Sequence, residues 1–261
     1  MLHVIYFLIA ILATTAGAIA GISGGIVIRP LLDIMNHFDA QTISVLSSIT
    51  VLSMSVVSAG KQLMQKAPLN YKVVIPLAIG ASLGGVIGQR LLATIVAAFE
   101  IGRIVTMIQN SLLLAISIAV FLYIRNRDKI KSLNMSNMLL IVLTGVFLGM
   151  IAAFLGIGGG PINVAMLILL FSFDIKTAAV GSIVIILFSQ TANVIRVGTT
   201  IGFSAFDLRM LPPMIIGAMS GGFIGASLNK KLSLKVIESC FFVMLALVAA
   251  FAIFNITRGL I

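Results

Sequence analysis

Ser182, Ser189, Asn193 and Arg196 lie 7, 11 and 14 residues apart, counted from Ser182. On a helix of 3.6 residues per turn they fall within roughly 40° of one another. A hydroxyl, an amide and a cation on one face are donors in the arrangement an oxyanion wants. The same steps taken from Ser47 reach Met54, Ser58 and Lys61. Interhelical hydrogen bonding accounts equally well for Ser47, Ser182 and Asn193, so both readings stay open for them. For Lys61 and Arg196 the plainer reading is a long side chain reaching out to the membrane interface.

Two glycine clusters sharpen the choice. Residues 20–28 read AGISGGIVI and residues 155–163 read LGIGGGPIN. Glycine costs about 1 kcal/mol against alanine inside a helix, so a repeated contiguous run breaks the helix and frees backbone groups. At membrane depth such groups are tolerated only against protein or a water-filled cavity. A short apolar segment follows each cluster, and matching broken segments in two repeats point to a transporter's binding site. The start of each short helix, with free N–H groups and the positive end of its dipole, suits an anion. The candidate backbone positions are Gly21, Ser23, Gly24 and Gly25 in the first cluster, and Gly156, Gly158, Gly159 and Gly160 in the second. Asn163 follows closely. Arg29 stands four residues past Gly25, about 6 Å along a helix, and an intramembrane cation is a functional candidate by default. Its guanidinium could fold back to the break or run outward to water. A plain helix kink is the structural alternative for both clusters.

The elements that carry these residues are membrane spans. Of 261 residues 60% are hydrophobic and 9% charged, a composition with no use in a water-soluble domain. Residues 4–28, 40–60, 73–89, 104–124, 139–157, 177–195, 210–229 and 239–257 contain no Asp, Glu, Lys or Arg, and crossing a hydrocarbon core takes about 20 helical residues. Continuous rather than alternating apolar runs exclude a transmembrane β-barrel. The expected fold is an all-α polytopic membrane protein. The net charge of +10 sits in short loops between spans, as loop-charge topology demands, so it speaks for a lipid bilayer and not for nucleic acid. Cys240 is the single cysteine, which excludes an intrachain disulfide and a multi-cysteine metal site. The start MLHVIYFLIA reads as a first transmembrane helix rather than a cleaved leader.

The chain is duplicated. Pairing residue n with n+135 brings the clusters into register, lays FDAQT (38–42) on FDIKT (173–177), and pairs Ser47 with Ser182 and Lys61 with Arg196. At offset 137, PLAIGASLGGVIGQRL (76–91) matches PMIIGAMSGGFIGASL (213–228). The organisation is an N-terminal repeat (1–124), a basic linker loop (125–137) and a C-terminal repeat (138–261), together one integral membrane domain. Gly80, Gly84 and Gly88, like Gly217, Gly221 and Gly225, are spaced by four, which reads as helix packing rather than binding. Asp39 and Asp174 each precede a helical segment and read as N-caps.

These features resemble the sulfite exporter TauE/SafE family, whose mark is a duplicated glycine-rich signature near the first helix of each half, followed by proline. GISGGIVIRP (21–30) and GIGGGP (156–161) stand in for it here, with Ser23 replacing a glycine and the prolines at unequal offsets. The resemblance covers the whole chain. It implies secondary transport of sulfite, an organosulfonate or a related small sulfur-containing anion, outward across a prokaryotic plasma membrane, with no cofactor.

Other function classes fare worse. GISG (21–24) matches the G-x-S-G of a rhomboid-like intramembrane serine protease. The bases are His3, at the terminus, and His37, in a short loop, and the second cluster has Gly158 where Ser23 stands. No phosphate-cradling G-x-x-x-x-G-K-[ST] loop exists, so the chain is not expected to hydrolyse ATP or to be an enzyme. A non-transporting membrane scaffold leaves no sequence trace and stays as the alternative.

Orientation is balanced on charge. Three crossings per half, with the short segment and the polar one after it forming a re-entrant pair, make the repeats inverted; four make them parallel. Either way ten basic loop residues face five. Inversion is the expectation, because it aims two helix N-termini at one midplane site. The N-terminus is then outside, the 125–137 loop inside and the C-terminus outside.

Overall fold

The computed structural model describes residues 2–99, 102–155 and 158–260. All the described regular structure is helical, in two matching series of five. The first is α1 (Leu2–Ala20), α2 (Gly25–Met35), α3 (Ala40–Met64), α4 (Tyr71–Phe99) and α5 (Gly102–Arg125). The second is α6 (Met138–Leu155), α7 (Gly160–Phe171), α8 (Ile175–Thr200), α9 (Leu211–Lys231) and α10 (Leu234–Leu260). Eight of these helices contain a stretch long and apolar enough to cross a membrane; the short helices α2 and α7 are the two that do not.

Helix boundaries follow local chemistry. Asp39 caps α3, its Oδ1 accepting from the N–H groups of Gln41 (2.9 Å) and Thr42 (3.0 Å). Asp174 caps α8 identically through Lys176 and Thr177, the N-cap role both aspartates were expected to play. The helices before the breaks end with exposed carbonyls that need donors. Asn229 Nδ2 donates to the Ile19 carbonyl at 2.7 Å, and Gln109 Nε2 donates to that of Phe154 at 2.5 Å. Ile19 and Phe154 are repeat partners, so the same backbone need is met in the two halves by different side chains from different helices.

The spaced glycines of the fourth helices do pack helices. Methyl groups on Gly80, Gly84 or Gly88 would collide with the backbone of Val142, Val146 or Met150 on α6. Those on Gly217, Gly221 or Gly225 would strike α1 at Phe7, Thr14 or Thr15. Each half's fourth helix thus lies against the other half's first helix.

The short helices pack chiefly on the polar helices that follow them, α2 on α3 and α7 on α8, the pairing the sequence suggested, although α3 and α8 hold stretches of 24 and 26 residues, long and apolar enough to cross on their own. The end of each short helix also comes back to the start of its half's first helix. Tyr6, near the start of α1, hydrogen-bonds His37 just past α2 at 3.0 Å and packs edge-on against Phe38. In the second half the linker just before α6 receives the end of α7: Leu133 and Met135 N–H groups donate to the carbonyls of Leu169 (3.0 Å) and Leu170 (2.8 Å). The sharp reversal is what contiguous glycine supplies. Gly21 (φ 72°), Gly158 (67°) and Gly159 (99°) all occupy the left-handed region.

Candidate functional site

The two breaks meet. A methyl on Gly160 would lie 2.8 Å from the Ser23 backbone nitrogen, and one on Gly158 would lie 3.1 Å from Ser23 Oγ and 2.9 Å from Gln190 Nε2. Around this meeting point is a small polar cleft lined by Ser23, Gly25, Arg29, Ser44, Ser47, Ser48, Val51, Gly158 and Gln190. Its residues come from both glycine breaks and from α2, α3 and α8, so neither half builds it alone.

The chemistry of the lining is donor-rich. Four serines, a glutamine and an arginine line the space, and none of the described lining residues is acidic. Ser23 is 1% exposed and accepts from the Gly25 N–H at 3.2 Å, leaving its own proton to donate. Gln190 is 8% exposed, and its amide oxygen is buried with no hydrogen-bond partner among the described residues. A buried unpaired amide is costly unless something visits it. Against Ser47, the first turn of α2 is close enough that a methyl on Gly25 would sit 2.8 Å from the Ser47 hydroxyl and 3.0 Å from Val51.

The expected residues divide. Ser23, Gly25, Arg29, Ser47 and Gly158 line the cleft. Asn193 lies one layer behind, its Nδ2 donating to Ser48 Oγ at 2.9 Å and its Oδ1 accepting from Gln89 Nε2 at 2.7 Å. The remaining glycines do other work. Gly21 packs backbone to backbone on Ala179, and a methyl on Gly24 would lie 3.0 Å from Thr14. Gly159 carries the strained turn against Asn163, while Gly160 meets Ile22 and Ser23. Ser182 is fully buried outside the lining, and its hydroxyl has no partner among the described residues. Gly156 lies outside the described residues.

Sequence reasoning missed Ser44, Ser48 and Gln190. The signal for the serines was present, since 44, 47, 48 and 51 follow the three-and-four spacing of one helix face. Gln190 is eight residues from Ser182, about 80° around the helix, at the margin of the face counted from that serine. No imidazole lies among the described lining residues, and His37 is bound to Tyr6 at the far end of the hairpin. Ser23 therefore has no base beside it there, as protease chemistry would require.

Taken together, these features define a multi-pass helical membrane protein with a small donor-lined cleft where two helix breaks converge. The chain belongs to the sulfite exporter TauE/SafE family, a family of membrane transporters, whose profile matches residues 6–252. It is 27% identical to the probable membrane transporter protein YunE of Bacillus subtilis (strain 168), over 98% of each chain. No solved structure gives a significant match.

Proposed function

We propose that the chain is a secondary transporter that moves a small sulfur-containing oxyanion, sulfite or an organosulfonate, outward across the plasma membrane through this cleft. The observation that carries the reading is the convergence of both glycine breaks on a space lined by four serines, a glutamine and an arginine. Such a set donates hydrogen bonds to anionic oxygens, and the starts of α2 and α7 add the positive ends of two helix dipoles. Ser23, Gly25, Arg29, Ser44, Ser47, Ser48, Gly158 and Gln190 are the binding residues under this reading. Gly21, Gly24, Gly159, Gly160 and Asn163 shape the breaks, and Asn193 supports Ser48.

We infer further that the repeats, 1–124 and 138–261 about the 125–137 linker, are inverted. Each short helix ends beside the start of its half's first helix, so that pair makes no net crossing and three crossings remain in each half. Three is odd. The basic groups also segregate: Lys176 Nζ donates to the carbonyls of Lys230 (2.7 Å) and Leu232 (3.2 Å), which brings the start of α8 to the lysine-rich end of α9. By loop charge this end is the cytoplasmic one, and the N-terminus is outside.

The test is ligand-induced thermal stabilisation of the purified protein by sulfite, sulfate and a series of sulfonates. Saturable stabilisation by a sulfur oxyanion, lost in Ser47→Val, supports the reading. No stabilisation by any of them, or equal stabilisation of Ser47→Val, contradicts it and favours a scaffold or a different solute.

A further inference from the structure

A stripe on α3 runs on past the cleft. Ser44, Ser48, Val51, Ser55, Ser58 and Gln62 are spaced by four and three in turn, which holds them within about 80° of one another on the helix. The first three line the cleft. Gln62 stands 14 residues beyond Ser48, about 21 Å along the helix. There it lines a second, smaller cavity with Ala59 of α3, Leu69 and Tyr71 that follow it, and Val180 and Val184 of α8. These two valines stand in the first three turns of α8, whose start meets the lysine-rich end of α9 through Lys176. The cavity therefore lies on the lysine-rich side of the cleft.

The far part of the stripe is shut off from solvent and left unsatisfied. Ser55 and Ser58 are fully buried and Gln62 is 3% exposed. Ser55 Oγ donates to the Leu52 carbonyl at 2.9 Å. The Ser58 hydroxyl and both amide atoms of Gln62 have no hydrogen-bond partner among the described residues. Each such group costs about 1–3 kcal/mol, so a glutamine that only packed here would be better replaced by an apolar side chain of its size. The duplication shows what these residues copy. At offset 135, Ser55 matches Gln190, Ser58 matches Asn193, and Ser182 matches Ser47. Gln190 and Ser47 line the cleft and Asn193 supports it. Ser182, in the same early turns of α8 as the two valines, also keeps a buried hydroxyl without a partner among the described residues. The same repeat positions, with the halves exchanged, thus supply a second polar set that is closed.

We propose that the Gln62 end of the α3 stripe is an inner station for the transported oxyanion, shut in this conformation and opened when α3 and α8 part at the cytoplasmic end. Gln62 then presents its two amide protons, and Ser58 its hydroxyl, to the anion's oxygens, while the Gln62 carbonyl accepts from water. An anion moving outward meets Gln62 and Ser58 first and the cleft second. The assignment rests on the transport reading of the cleft and on the inverted repeats.

The experiment compares the parent with Gln62→Met and Gln62→Asn in sulfite-induced thermal stabilisation and in sulfite flux into proteoliposomes. The cleft is intact in both variants, so sulfite should stabilise each at the parent's half-stabilising concentration. Flux should fall about tenfold in Gln62→Met, the loss of a hydrogen bond to a charged group, and Gln62→Asn should recover part of it. In sulfite-free buffer Gln62→Met should be as stable as the parent or more so; a marked loss of stability would make the amide structural and overturn the proposal. Parent-like flux in Gln62→Met overturns it too, leaving Gln62 to hold a resident water only. A parent that sulfite neither stabilises nor crosses removes the cleft reading, and this one with it, so the two failures are told apart. Sidedness gives a further measurement. On a Cys240→Ser background, Ser58→Cys should react with a small impermeant thiol reagent in inside-out vesicles and not in intact cells. No reaction from the cytoplasmic side, or equal reaction from outside, overturns the inner station.

Discussion

Ser23 of the first glycine break stands against Gly158 of the second, near enough that a methyl there would come within 3.1 Å of its hydroxyl oxygen. Residues 135 apart in sequence, and equivalent in the duplication, have become neighbours across the site. The asymmetry is built in at this point, because one copy supplies a hydroxyl and the other supplies the room for it.

Gly25 and the packing glycines should therefore respond differently to the same methyl. Gly25→Ala puts its methyl into the cleft against Ser47, Val51 and Ser23, where the side chains and not the backbone have to give way, unlike at Gly24, whose methyl would meet the backbone of Thr14 and Ala13. Binding should fall sharply while the yield of folded protein holds. Gly84→Ala and Gly221→Ala drive a methyl into the facing helix and should cost about 1–3 kcal/mol of stability. Thermal unfolding and ligand titration of the same preparations distinguish them. Equal behaviour of the two sets would refute the division.

Gly24 and Gly159 move from one class to the other. The sequence suggests that both expose backbone to solute, so that alanine there should spare folding. Thr14 against Gly24, and the φ of 99° at Gly159, make both substitutions destabilising instead. Backbone strain alone at Gly159 is about 1–2 kcal/mol. Lower melting temperatures for Gly24→Ala and Gly159→Ala, measured beside Gly25→Ala, are the expected result.

Gln190→Leu removes a buried amide whose oxygen has no partner among the described residues. Its stability should stay within about 1 kcal/mol of the parent, yet oxyanion binding in the cleft should be lost. Direct binding of a labelled oxyanion at low concentration would show it. Retained cleft binding would mean that Gln190 only fills space.

Asp39 gives a pH dependence with a definite sign. Hydrogen bonds from Thr42, through its side chain and then its backbone, hold the Asp39 carboxyl below the usual carboxylate range. A depressed folded value contributes stability above the unfolded value of about 3.9, and that contribution fades as pH falls through the folded value. Asp39→Asn should abolish this part of the acid sensitivity while keeping much of the cap. Melting temperatures of the two proteins measured from about pH 7 to about pH 3 should converge at the acid end.

Orientation has its own test. On a Cys240→Ser background, Thr257→Cys near the end of α10 should react in intact cells with a thiol reagent that cannot cross membranes. Labelling that appears only after permeabilisation would reverse the placement of the C-terminus and favour parallel repeats.

Much of this architecture was legible beforehand, for physical reasons that act locally. Spans declare themselves through uncharged length, duplicated breaks through contiguous glycine, caps through Asp39 and Asp174. The FD turns mark where each short helix ends, but not what its end meets; that depends on Tyr6 reaching His37 across 31 residues. Asn229 and Gln109 reach the ends of α1 and α6 from distant helices, and no local pattern announces a donor that far away. A glycine in a break looks alike whether it faces solute or Thr14, and only the return path of the chain decides.

The central claim is that a small sulfur oxyanion crosses the membrane through the cleft where Ser23 meets Gly158. Flux of labelled sulfite and several labelled sulfonates into proteoliposomes tests it most directly, with the parent protein and Gly25→Ala compared at equal amounts of folded protein. The parent should move at least one of these anions saturably, and Gly25→Ala should lower the rate about tenfold or more, equivalent to about 1.4 kcal/mol or more in the barrier. A folded parent protein that moves none of them, or a Gly25→Ala variant that moves them as fast as the parent, would contradict it.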